Sequence, residues 1–189
     1  MLLILIKLTI CYIVSKCNLP TKFGMFSLDI HRVNNIDIPV LCKNMNGKNP
    51  INDFPLVRVH DACITSEIFS SLRSDCDEQL QLSMKLINKH NGLIIYTSNE
   101  GRGIGLANKV EAYNIQDTEE LNTYDANLYL NLPEDSRDYS YVPNILMEYN
   151  IDTINLLTNS KLKIKRLRDL GIDINKFIPV LICLLYTSP

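Results

Sequence analysis

Residues 1–60 carry short apolar runs separated by the turn-forming strings NLPTKFG, NN and NMNGKNP. This is the pattern of strands joined by loops. Residues 38–41 and 56–59 are the clearest of these strands. After Asp77 the period changes: Leu80, Met84 and Ile87 share one helical face, and Asn91-Gly92 supplies the stop. Residues 93–97 form a short continuous apolar run, the signature of a buried strand. A glycine-rich loop at 99–105 leads into a predicted helix over 104–115, with further helices near 126–130 and 144–149. Residues 151–157 predict a second buried strand. Thr158-Asn159-Ser160 then caps a basic amphipathic helix that runs to Leu170 and ends at Gly171. Residues 172–174 and 177–181 have strand character. The expectation is an α/β (α+β) fold: a single domain with a β-rich N-terminal part followed by alternating strands and helices.

Composition narrows the class. Apolar residues make up 46% of the 189 and charged residues 21%, with a net charge of −2. Such a balance gives no reason to expect a nucleic acid or a membrane as partner, so a polyanion must be met by a local cluster of basic groups. The six cysteines do not form the dense framework of a small secreted domain, which points to a reducing compartment with thiols free or on metal. The cytoplasm is expected, with a plastid or other organelle as the alternative. The opening MLLILIKLTICYIVSK is interrupted by Lys7 and is read as an N-terminal extension or first strand over 1–17. The domain proper is placed at 18–181. One reading frame of a sequencing adapter encodes the closing CLLYTSP, so 182–189 is read as a non-native tail and Cys183 is not counted as a ligand.

Four stretches carry candidate chemistry. In NEGRGIGL, the glycines let the backbone approach a ligand closely, and Glu100 and Arg102 add an acceptor and a charged fork; a plain tight turn is the competing reading. In RVHDACITSEIFSSLRSDC, two cysteines, a histidine and two arginines suggest a metal beside an anion, although buried free thiols would give the same pair. Asp135 and Arg137 stand two apart, as a surface ion pair would. The basic run from Lys161 to Arg168 is either a solvated helix face or, at its polar start, a phosphate site.

Their order is more telling than any one of them. RVHDACITSEIFSSLRSDCDEQL resembles the GTP cyclohydrolase II signature R-V-H-S-E-C-x-T-x-D-x-x-x-S-L-R-C-D-C-x-x-Q-L. NEGRGIGL, NKVEAYNIQD, DAN, DSRD and LLTNSKLK follow in the order of that family's remaining motifs, and LPTKFGMF near Leu19 fits its opening. The resemblance covers residues 18–179.

It implies a hydrolase of riboflavin biosynthesis that converts GTP to a 2,5-diamino-6-ribosylamino-pyrimidinone 5′-phosphate, formate and pyrophosphate, with Zn2+ and Mg2+ as cofactors. In the family three cysteines hold zinc, whose bound water attacks C8 of the purine. Cys63 and Cys76 match two of them, and Ser74 stands in the third place. Arg137 matches the family's nucleophile at the α-phosphorus and Asp135 its acid/base partner; positioning phosphate is the role better suited to a guanidinium. Tyr113 matches a proton-moving tyrosine near the base. Arg58, Val59, His60, Gln79, Glu100, Gly101, Arg102, Thr123, Thr158 and Lys163 match GTP-contacting positions, Glu100 as an acceptor from guanine or a magnesium ligand. Ala62 replaces a family glutamate, while Asp61, in place of a serine, and Asp75 are carboxylates that could restore charge at the metal. The alternatives are a zinc-deficient relative that binds GTP and releases only pyrophosphate, a relative of the uracil-catabolism type, and a non-enzymatic nucleotide-binding protein. A homodimer is expected by resemblance.

Overall fold

The structure, a computed structural model, describes residues 11–44 and 54–182. The non-native-tail expectation therefore lies outside the described residues except at Ile182. One seven-stranded sheet runs in the order β1-β2-β3-β5-β4-β6-β7. β1 (Cys11–Thr21), β2 (Gly24–Val33) and β3 (Ile36–Lys43) form an antiparallel meander, joined by β3 to β5 (Gly92–Thr97). β4 (Leu56–Asp61) lies parallel to β5 and to β6 (Thr153–Leu157), and β6 is parallel to β7 (Asp173–Ile178). The β-rich start and the later strand–helix alternation are thus two halves of one sheet.

Six α-helices lie among the described residues: α1 (Ile64–Glu67), α2 (Cys76–His90), α3 (Leu106–Glu119), α4 (Thr123–Tyr129), α5 (Val142–Glu148) and α6 (Lys161–Asp169). Helices cover both faces of the sheet at β4, β5 and β6. Leu56, Ile94 and Leu157 pack with Ile87, Leu80 and Met84 of α2. Val57, Val59, Ile95 and Leu156 pack on the other face against Ile145 and Leu146 of α5 and Ile164 and Leu167 of α6. Burial on both faces explains why β5, GLIIYT, reads as a continuous apolar run rather than as alternation. No helix among the described residues is long and apolar enough to cross a membrane.

The helices expected at 104–115, 126–130 and 144–149 fall at Leu106–Glu119, Thr123–Tyr129 and Val142–Glu148, and two strand boundaries also differ from the sequence reading. Ile151 is buried but closes α5, its N–H donating to Leu146 O, so β6 starts two residues later. The last two strand-like runs merge into the single β7, ending at Ile178.

Ile95 has no exposed surface at the centre of the sheet. Ile95→Ala should cost about 3 kcal/mol of unfolding free energy. Phe177→Ala, at a side chain 57% exposed, should cost about 0.5 kcal/mol or less in the same denaturant titration.

Candidate functional site

The carboxyl ends of β4, β5 and β6 point to one side of the sheet, where open α/β sheets hold ligands. A cavity of about 460 Å³ opens there, within the usual range for a small-molecule site. It brings together Arg58, His60, Cys63, Ser74, Cys76 and Gln79 from β4 and the segment that follows it. Gly101, Arg102 and Tyr113 line it from the glycine loop and α3, and Arg137, Thr158 and Lys163 from the later loops and α6. Of the other sequence-predicted residues, Val59 contributes its carbonyl, Glu100 and Asp135 stand behind the lining, and Thr123 is the first residue of α4.

At one end lie the thiols. Cys63 Sγ is 3.3 Å from Ser74 Oγ, is hydrogen-bonded with Cys76, and receives Lys109 Nζ at 3.1 Å. The bond with Cys76, and those from Ser74 and Lys109, pull the Cys63 thiol well below its usual range against the effect of burial. The bond with Cys63, together with burial, pushes Cys76 up. Ser66 pins the intervening loop, donating to Ser74 O at 3.1 Å and accepting from Asp77 N at 3.1 Å. Two thiols and a hydroxyl converge here, but among the described residues no group of three or more His, Cys, Asp or Glu side chains is placed to hold a metal ion. The donors do not make the three-thiolate set that the family resemblance calls for.

At the other end lie the cations. Arg137 is gripped by Asp135, through Nε at 3.0 Å and through Nη2, and donates from Nη1 to Asp61 at 3.1 Å. Arg166 reaches the same Asp135 at 2.7 Å. Burial raises Asp135, but the guanidinium of Arg137 and its backbone N–H outweigh that and hold the carboxyl at about 2. The flanking carboxylates raise Arg137 further, so it stays protonated. Lys163 Nζ donates to Val59 O at 2.7 Å and pairs with Asp61 at 2.8 Å; burial still pulls it down to about 8. Arg58 donates to Gln79 Oε1 at 2.9 Å and to Leu157 O at 3.1 Å.

The glycine loop proves to be a docking turn more than an anion cradle. The N–H groups of Gly101, Ile104 and Gly105 are spent on Glu100 Oε1, Gly101 O and Glu100 O. At Gly103, with φ +87°, a Cβ would meet the Ser136 backbone at 2.6 Å. Only glycine lets this loop seat the Asp135–Arg137 segment. Glu100 is likewise engaged inside the protein, accepting from Ile64 N at 2.7 Å and Lys109 Nζ at 2.7 Å.

Sequence reasoning missed several contributors. Glu67 accepts from Cys63 N and Tyr96 Oη and pairs with His60 Nε2 at 2.9 Å, fixing which ring nitrogen of His60 faces Arg58. Burial holds His60 below its usual range. Lys109 and Tyr113 lie four apart on one face of α3, a signal present in NKVEAY, and Arg73 stacks on the Tyr113 ring at 4.7 Å. Gln116, on the same face, lines the cavity with its buried Nε2 unpaired among the described residues. Asp61 does not face the thiols, as its neighbourhood in sequence suggests. Strand alternation puts it on the side of Val57 and Val59, where it meets Lys163, Arg137 and Tyr139.

The cavity can therefore hold an anion at its cationic end and a flat polar ring near Tyr113. The affinity for inorganic tripolyphosphate should fall as pH rises through about 8 and above, as Lys163 loses its proton. Lys163→Arg should remove that fall in a calorimetric titration series, because a guanidinium stays charged.

The family model described as GTP cyclohydrolase II matches residues 12–179. A GTP cyclohydrolase-2 of Picrophilus torridus is 42% identical over 171 residues, covering 89% of this chain and 86% of its own. One of Acinetobacter baumannii is 42% identical over 170 residues, covering 88% and 84%. The riboflavin biosynthesis protein RibBA of Staphylococcus aureus is 42% identical over 168 residues, 89% of this chain but 42% of that longer protein. Among solved structures, a two-domain 3,4-dihydroxy-2-butanone 4-phosphate synthase of A. baumannii covers 91% of this chain and 41% of its own at TM-score 0.46 and 15% identity.

Proposed function

The chain belongs to the GTP cyclohydrolase II family, and we propose that it performs that family's reaction, hydrolysing GTP to a diaminopyrimidinone ribosylamino phosphate, formate and pyrophosphate in riboflavin biosynthesis. The observation that carries the reading is the cavity itself. It sets a buried cation cluster at one end and the Tyr113 ring beside a thiol pair at the other, as a purine triphosphate requires.

In this reading the triphosphate lies against Arg58, Arg137 and Lys163 and the start of α6, where Ser160 Oγ accepts from Lys163 N at 3.1 Å. Arg137 binds the α-phosphate as a cation. Two carboxylates hold it protonated, which favours positioning and charge stabilisation over attack by one of its nitrogens. Asp135 orients that guanidinium. Tyr113 presents its face to the base, with Arg73 on its other contact and Asp117 holding Arg73 at 2.5 Å. Magnesium travels with the phosphate oxygens, since Asp61, Asp135 and Glu100 are each occupied by protein donors. A homodimer and a cytoplasmic setting belong to the same reading.

A second reading is favoured by one observation, the hydroxyl of Ser74 beside Cys63 and Cys76. A zinc site of catalytic type takes three protein ligands and a water. With two thiols the protein would cleave the phosphate end and leave the purine ring closed.

Formate and pyrophosphate assayed together from GTP decide between them: equal yields are expected, and pyrophosphate without formate establishes the second reading. Ser74→Cys should raise the zinc content of purified protein toward one per chain, read by elemental analysis, and should raise formate release by tenfold or more if metal loading limits it. Unchanged zinc content would show that the thiols serve another purpose.

A further inference from the structure

Asp61, the last residue of β4, accepts from five side chains, which is more than keeping Arg137 protonated requires. Its Oδ2 accepts from Lys163 Nζ at 2.8 Å, Tyr139 Oη at 2.8 Å and Arg137 Nη1 at 3.1 Å. Its Oδ1 accepts from Thr97 Oγ1 at 2.9 Å and Asn99 Nδ2 at 3.3 Å. A carboxylate offers about four lone-pair sites, so these donors saturate it. It has no place left for a substrate proton or a metal ion.

What it does is count out the donors of its neighbours. A guanidinium has about five N–H groups. Asp135 takes those at Nε and one at Nη2, Asp61 takes one at Nη1, and each terminal nitrogen keeps one. Two such hydrogens form a fork for two oxygens of one phosphate. Lys163 gives one N–H to Val59 O and one to Asp61, and its remaining one belongs to a residue that lines the cavity. We propose that Asp61 is a positioning residue for phosphate cleavage, locking Arg137 and Lys163 at one spacing so that both meet the same phosphate with donors already aimed. The identity of that phosphate as the α-phosphate of GTP rests on the reading above; the locking does not.

Charge supports the geometry. The Lys163 ammonium faces Asp61, Arg58 and Arg137, with Tyr139 5.4 Å from it and His60 within its field. Asp61 is its counter-charge among these groups. Without it, burial and two guanidiniums would act on Lys163 unopposed.

The test compares wild type with Asp61→Asn, which keeps the shape and removes the charge, and with Asp61→Ser should the first not fold. Pyrophosphate release from GTP should lose about a hundredfold in kcat, the scale of an ångström-level misplacement, while KM changes by threefold or less. The pH midpoint for binding inorganic tripolyphosphate should move down by about one unit or more. A kcat within threefold of wild type and an unmoved midpoint would overturn the proposal. So would a loss of kcat that follows only a lowered melting temperature with the midpoint in place, since that is a purely structural role. If wild type releases no pyrophosphate from GTP, the substrate reading fails, while the tripolyphosphate titration still decides the role of Asp61.

Discussion

Positive charge cannot be buried without a partner, and this site buries a great deal of it. Arg58 and Lys163 are almost wholly enclosed, and Arg137 is mostly so. Leaving such groups unpaired costs several kcal/mol each. Asp61 and Asp135 pair Lys163 and Arg137, while Gln79 and Leu157 O hold Arg58, and the two carboxylates thereby tie the end of β4 to the 135–139 loop and to α6. The cation cluster is thus a consequence of the strand order. β4 is flanked by β5 and β6, so its last residues are met from both sides by the segments that follow those strands.

The two ends of the cavity are built to different standards. The phosphate end is complete: Arg58, Arg137 and Lys163 each have a carboxylate or carbonyl that fixes the side chain's orientation. The thiol end is less so. Lys109 and Ser74 meet the Cys63 sulfur, and Ser74 brings a hydroxyl where a thiolate would carry charge. Family membership therefore says more about how this chain holds a triphosphate than about how it attacks the ring.

Much of this was legible in the residues. A continuous apolar run marked β5, residues 151–157 marked β6, and the Ser160 cap marked the start of α6. The ordered motifs predicted which segments would meet. Local signals could not reveal partners brought together by topology. Glu67 lies in a helix too short to leave a periodic trace, yet it orients His60. Asp61 is two residues from Cys63 in the chain, which suggested a metal-side role. Period-two alternation along β4 sends it to Lys163 instead, 102 positions away. The glycines of the 101–105 loop suggested an anion cradle, whereas the closeness of Ser136 to Gly103 shows what the missing Cβ makes room for.

The central claim is that one cavity binds one purine triphosphate end to end. A crystal structure with a GTP analogue carrying a methylene bridge between the α- and β-phosphates tests this most directly. The account predicts the α-phosphate within hydrogen-bond distance of both Arg137 and Lys163, and the guanine ring against Tyr113 with its five-membered edge toward Cys63. A triphosphate bound along the exposed face of α6, with Arg137 touching only Asp61 and Asp135, would contradict it.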